Sequence, residues 1–260
     1  MFQNKPTLKE RYQNLVDRLK TIAPHEQAMR LAVGEGDFDA IGKIECGILK
    51  RYGLRRSDYL IDVGCGSGRL AKPLSAYLIG RYLGTDLVPE LVDHARQVTA
   101  RSDWRFEVVD HVEIPEKDCQ ADMVCFFSVL THLLHEQSYW YLEEAKRVLK
   151  PGGTIVFSFL EFVEPSHWQT FMDTLREARS RSRGIHPMNV FLDRQSICIW
   201  AQHLGLKVEH IHHALDPFPP EGALGQSVCV LSLPQTASAS CRPDVESSKR
   251  TAGEARPPLK

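Results

Sequence analysis

The stretch from Tyr59 to Leu70, YLIDVGCGSGRL, sets an acid, Asp62, before glycines at Gly64, Gly66 and Gly68 and a basic residue at Arg69. Glycine is required where the backbone takes positive φ, or where a ligand comes closer than a Cβ would allow. A buried strand that feeds such a turn and opens a helix presents unpaired N–H groups, which suit carboxylate, hydroxyl or phosphate oxygens. The dinucleotide fingerprint is G-x-G-x-x-G, whereas these glycines fall as G-x-G-x-G, with Arg69 where the final glycine should stand. Asp62, at the mouth of the strand, would repel a pyrophosphate and favour an ammonium or sulfonium group.

With that acid in place, LIDVGCGSGRL resembles the first motif, hhD-h-G-x-G-x-G, of the class I (Rossmann-like) S-adenosylmethionine-dependent methyltransferases. VLKPGGTIVFSFLE, from Val148 to Glu161, is similar to a later segment of the same family. The resemblance covers residues 30 to 234 and implies S-adenosylmethionine as cofactor. It also implies a doubly wound α/β fold, with a mostly parallel seven-stranded sheet, an antiparallel last strand and an N-terminal helical extension. Asp62, Gly64, Cys65, Gly66, Gly68 and Arg69 would then form the cofactor loop.

Asp86 closes the next strand, RYLGTD, where an acid can accept both ribose hydroxyls. The alternative is a plain N-cap for the helix from Val88 to Thr99. Leu87 is then placed against the adenine face. In the resembling family, an acid at the position of Asp110 hydrogen-bonds the adenine amine and its neighbour, here His111, supplies a backbone N–H. An Asp closing a strand is also a common turn residue. Phe127 and Ser128, at the end of the apolar fourth strand, complete the expected cofactor contacts. Pre-core helices in such enzymes often fold over the cofactor, which makes Phe38 a candidate lid residue or a hydrophobic staple for its own helix.

Methyl transfer is an in-line displacement, in which the protein chiefly positions both molecules. An oxygen or nitrogen acceptor can also require removal of a proton. His132, in the loop after the fourth strand, is the leading candidate for that base, with Glu161 after the fifth strand as the other. His210, His212 and His213 invite a metal reading, but 213 points away from the other two on a strand, so no metal site is assigned.

Elements able to position these groups are legible in the pattern. Thr7 to Glu10 reads as a capping box opening a helix with Leu8, Tyr12, Leu15, Val16, Leu19 and Ile22 on its packing face. A second helix carries Ile41, Ile44, Ile48, Leu49 and Tyr52 and ends at Gly53. Strands are expected at 60–63, 81–86, 104–109, 121–127, 154–159, 206–212 and 227–233, and core helices at 70–79, 88–99, 136–149, 166–181 and 194–204. Residues 1–54 form the N-terminal helices over the cofactor site and 55–234 the core. An insert at 160–192 lies on the acceptor side, where Trp168, Phe171 and Phe191 line the pocket or pack in the core. From Gln235 onward the chain is polar and rich in Ser, Pro and charge, as a disordered tail is.

The 260 residues carry a net charge of −1, so no basic excess points to nucleic acid. A small-molecule acceptor, such as a glycan or secondary-metabolite intermediate, is expected instead. The seven cysteines form no C-x-x-C pair, which is the usage of a reduced, cytoplasmic protein. The N-terminus has no apolar signal core, and no apolar run is long enough to span a bilayer. Two other classes remain: a non-catalytic cofactor-binding subunit, and a dinucleotide oxidoreductase, which Asp62 and Arg69 oppose. Nothing in the pattern specifies an oligomeric state.

Overall fold

In the computed structural model, which describes residues 6–34, 36–179 and 189–235, three helices precede the sheet. Helix α1 (Leu8–Ile22) begins with the expected reciprocal cap, in which Thr7 Oγ1 accepts from the Glu10 amide and the Glu10 carboxylate accepts from the Thr7 amide. Pro24 starts a short helix, α2 (His25–Leu31), that the apolar periodicity of its neighbours concealed. Its Ala28 and Met29 are fully buried beside Val16, Val88 and Leu91. Asp37 caps α3 (Phe38–Arg51) by accepting from the Asp39 and Ala40 amides.

The core then runs β1 (Leu60–Val63), α4 (Ala71–Ser75), β2 (Tyr82–Asp86), α5 (Pro89–Thr99), β3 (Arg105–Val108) and β4 (Ala121–Phe126). A 3₁₀ turn (Leu130–His132) leads to α6 (His135–Val148), β5 (Leu149–Phe159), α7 (Pro165–Arg179) and α8 (Arg194–Leu204). The chain ends in β6 (Lys207–His212), a small hairpin of β7 (Pro217–Phe218) and β8 (Gly222–Ala223), and β9 (Ser227–Ser232). The main sheet has seven strands in the order β3-β2-β1-β4-β5-β9-β6. All neighbours are parallel except β9, which runs antiparallel to both β5 and β6. Apolar clusters pack on both faces, as a doubly wound sheet requires. Strand order reverses between β1 and β4, and ligands bind at the carboxyl ends of strands at such a switch point.

Three expectations are corrected. The first core helix is not 70–79 but five residues, Ala71–Ser75; the Ile79 and Gly80 amides turn away to the Arg56 carbonyl, and Ile79 is exposed. The fifth strand starts at Leu149 rather than 154, because Leu149 pairs with Ala121 across an irregularity that absorbs the Pro151–Gly153 bend. Phe218 of the small hairpin is buried against the core. Cysteine usage is not uniformly reduced: Cys119 is disulfide-bonded, whereas Cys46, Cys65, Cys125, Cys198 and Cys229 are free. Spacing alone cannot show such a pairing. Most of the proposed tail, from residue 236 onward, lies outside the described residues, as do 180–188 of the insert.

Candidate active site

The carboxyl ends of β1, β2 and β4 open into a cavity of about 780 Å³, with one wall supplied by Leu8, Tyr12, Leu15 and Leu19 of α1. The packing stripe read from the sequence is therefore largely a cavity wall, although Val16 packs on α2 instead and Ile22 is exposed. Exposed ion pairs, Lys9 to Asp110 at 3.0 Å and Lys20 to Glu90 at 2.8 Å, tie α1 to the core. Such pairs are worth little individually, and α1 is held as well by buried Val16, packed with Ala28, Met29, Val88 and Leu91.

The glycine loop follows β1 as its motif demands. Gly64 has φ +74°, its amide donates to the Thr85 carbonyl at 2.7 Å, and a Cβ there would lie 2.3 Å from Val129 Cγ2. Gly64→Ala should therefore destabilise the fold by about 2 kcal/mol, from left-handed strain plus overpacking. Urea denaturation measures this, and an unchanged midpoint would show that the loop relaxes freely. Gly66 and Cys65 also line the cavity, whereas Gly68 packs away from it against Ala95 of α5.

Asp62 is only 2% exposed, and it accepts from Tyr82 Oη at 2.7 Å and from the Cys125 thiol at 3.6 Å. Burial pushes its carboxyl up to about 7, with Glu45 adding to the effect. A carboxylate desolvated in this way gains strongly from a cation placed beside it. Glu45 of α3 also lines the cavity and was not anticipated; it is an acid beside the apolar Ile44 on a packing face, the one signal it offers. Burial raises its pKa, opposed by Arg69, whose guanidinium lies 2.6 Å from its carboxylate. Arg69 donates as well to the Val33 carbonyl at 2.8 Å. It lines the cavity, but with its charge already paired to Glu45.

Asp86 sits at the end of β2 on the cavity wall, beside Leu87. Its carboxylate accepts from the Gly66 amide at 3.0 Å and the Val88 amide at 3.1 Å, so one acid ties the glycine loop to the start of α5. The N-cap of that helix is Val88, not Asp86. Burial raises the Asp86 pKa, opposed by these backbone donors. Tyr12 of α1 lies near it; burial and then the Asp86 charge raise its phenol well above the usual range.

Phe127, Ser128 and His132 line the cavity beyond β4. Ser128 adopts φ +59°, uncommon for a residue with a side chain. His132 packs edge-on to Tyr12, with ring centroids 5.7 Å apart. The structure brings these three together with Asp62 and Asp86 on the wall of one cavity.

Other candidates lie elsewhere. Phe38 is buried but off the cavity wall, with the Arg30 guanidinium 4.9 Å over its ring. Asp110 and His111 are also off the wall, where Val109 stands instead; Asp110 pairs with Lys9, and His111 with Glu113 at 2.6 Å. Glu161 is buried away from the cavity, gripped by Arg194 through two 2.8 Å bonds and by the Ser227 hydroxyl. Burial works against its ionisation, but Arg194 and Ser227 outweigh it and hold the carboxyl below its usual range. A carboxylate so engaged is a poor proton acceptor, and Glu161 is withdrawn as a base.

Glu161, Glu164 and His213 bring ligand-type atoms within 4.8 Å of one another, yet the Arg194 guanidinium fills that position, 3.0 Å from His213 Nδ1. His210 and His212 lie side by side on one face of β6, with ring centroids 5.8 Å apart and planes tilted by 30°. Trp168, Phe171 and Phe191 cluster with Phe162 outside the cavity wall, and Thr170 is the residue of α7 that reaches the cavity.

A family model described as a methyltransferase domain matches residues 61–157, from β1 through most of β5. Among curated relatives, malonyl acyl-carrier protein O-methyltransferase of Yersinia pestis is 28% identical over 148 residues, covering 55% of this chain and 51% of its own length. The 27-O-demethylrifamycin SV methyltransferase of Amycolatopsis mediterranei is 30% identical over 130 residues, covering 48% and 47%. The chain thus spans about half the length of these relatives. In fold, a chain of the complex between the Haloferax volcanii Trm112 methyltransferase activator and the putative methyltransferase superimposes with a TM-score of 0.60. That match has 21% identity and covers 88% of this chain and 98% of the other.

Proposed function

We propose, from the premise that this chain belongs to the class I S-adenosylmethionine-dependent methyltransferases, that it methylates an oxygen of a small-molecule acceptor. One observation carries the reading: a single cavity holds a buried acid suited to a cation, a second acid at the end of β2 suited to a ribose, and a histidine after β4. When bound, the cofactor supplies a methyl group already activated by the positive sulfur. Asp62 would hold the ammonium of its amino-acid end and Asp86 its ribose hydroxyls, with Leu87 and Val109 beside its base. Tyr12 and the apolar face of α1 exclude water, which strengthens each of these interactions. His132 would hold and accept the proton of the attacking hydroxyl. The names of both relatives speak of methylation at oxygen, and this favours oxygen over nitrogen; a glycan or secondary-metabolite acceptor fits the same reading.

A methyl-transfer screen with labelled cofactor over sugars, phenols, amines and carboxylic acids tests the proposal, with labelled product expected among hydroxyl compounds. Tight S-adenosylhomocysteine binding with no product from any class would favour a non-catalytic partner subunit.

Asp62 gives the cavity a pH signature. Its folded pKa of about 7 lies above its unfolded one, so the empty protein holds an extra proton between those values and loses the matching stability as pH rises through that window. A bound ammonium needs the ionised form. Affinity for S-adenosylhomocysteine should therefore level off only above about pH 8 and be about tenfold lower at pH 6 than at pH 8. Calorimetry at the two pH values measures this, and Asp62→Asn should flatten the profile. A flat profile in the unaltered protein would remove Asp62 as the counter-charge.

A further inference from the structure

Ser158, in β5, is fully buried and its hydroxyl accepts the Ser128 amide at 2.7 Å. A backbone N–H is an unambiguous donor, so the hydroxyl must spend its own proton elsewhere, and Gln226 Oε1 lies 2.7 Å away. That contact fixes the orientation of the Gln226 carboxamide, a choice that side-chain shape alone leaves open. The Nε2 end then donates to Ser128 Oγ at 3.1 Å. Two protons remain: the second N–H of Gln226, and the Ser128 hydroxyl proton, whose approach to Gln226 Oε1 is a long 3.4 Å. Both side chains line the cavity.

Their place in the sheet says what they face. Asp86 ends β2, Ser128 follows β4 two strands away and Gln226 precedes β9 four strands away in the order β2-β1-β4-β5-β9, which is roughly 10 and 19 Å at the usual strand spacing. The nucleoside end belongs to Asp86, so the Gln226 end belongs to the molecule that receives the methyl group. Phe127, Leu133 and Tyr141 give that cavity an apolar lining.

We propose that Gln226 and Ser128 form a two-donor bracket, anchored by Ser158, that grips a second oxygen of the methyl acceptor. The acceptor is then an apolar hydroxy compound that also carries a carbonyl or similar lone-pair oxygen. This deepens the methyltransferase reading and rests on it. The bracket orients the acceptor, while His132 acts on the hydroxyl that reacts.

The test is calorimetry on the full chain saturated with S-adenosylhomocysteine, using 3-hydroxyacetophenone and 3-ethylphenol, probes of matched size that differ in the carbonyl oxygen. The unaltered protein should prefer the ketone. Gln226→Leu should reduce that preference by roughly five- to tenfold, the range of one lost hydrogen bond. Gln226→Glu, which keeps the size and the bond from Ser158 but has no N–H to offer, should reduce it as much. Both variants should bind S-adenosylhomocysteine as the unaltered protein does. Equal binding of the two probes, binding of neither, or a preference unmoved by both variants would overturn the bracket. So would weakened cofactor-product binding in both variants, which would place Gln226 at the cofactor instead. Failure of the unaltered protein to bind S-adenosylhomocysteine would remove the methyltransferase reading itself.

Discussion

Replacing Asp86 with alanine should weaken S-adenosylhomocysteine binding by about a hundredfold. The carboxylate has two tasks, accepting the Gly66 and Val88 amides at 3.0 and 3.1 Å and presenting its remaining lone pairs to the cavity. A hydrogen bond to a charged group contributes about 1.5–3 kcal/mol. Two ribose hydroxyls losing that acceptor therefore cost about 3 kcal/mol or more, two orders of magnitude in affinity. The amide of Gly66 also loses its partner, which loosens the loop that must approach the cofactor. Asp86→Asn retains one carbonyl oxygen and should fall between, at about tenfold. Titration calorimetry of the three proteins gives the comparison, and equal affinities would sink the ribose assignment.

Replacing His132 with alanine should reduce turnover by about two to three orders of magnitude, within the usual contribution of a positioned base. S-adenosylhomocysteine affinity should stay within a few-fold, because the proton to be removed belongs to the acceptor. The position of the ring supports this: it follows β4 on the 3₁₀ turn, on the cavity wall and edge-on to Tyr12 of α1. Truncation also opens a gap beside Tyr12, so a thermal melt on the same variant separates lost packing from lost chemistry. Single-turnover transfer to the acceptor found by screening is the deciding measurement. An unchanged rate would take His132 out of the mechanism.

Asp62, Asp86, Gly64, Gly66, Ser128 and His132 were legible as cavity residues because each is fixed by its own strand end. A parallel strand flanked by helices sends its last residue and the loop after it to one edge of the sheet, whatever the rest of the chain does. Arg69, Asp110 and Glu161 also sit at loop or strand ends, yet each answers to a partner from elsewhere. Arg69 is paired with Glu45 of α3, Asp110 with Lys9, 101 positions away, and Glu161 with Arg194 of α8. Tyr12 and Gln226 went unnoticed for the converse reason. One looked like helix packing and the other preceded an edge-side strand, and only the folded chain brings them to the cavity.

The sequence by itself determined the backbone: where glycine must turn the chain, where apolar runs must pair as central strands, and hence which crevice receives a ligand. Those are local demands, met within a few residues along the chain. Only the tertiary structure decided which charges face that crevice unpaired and which are neutralised before any ligand arrives. An ion pair needs its members within about 4 Å, and segments distant in sequence meet at that range only after the sheet has closed around them.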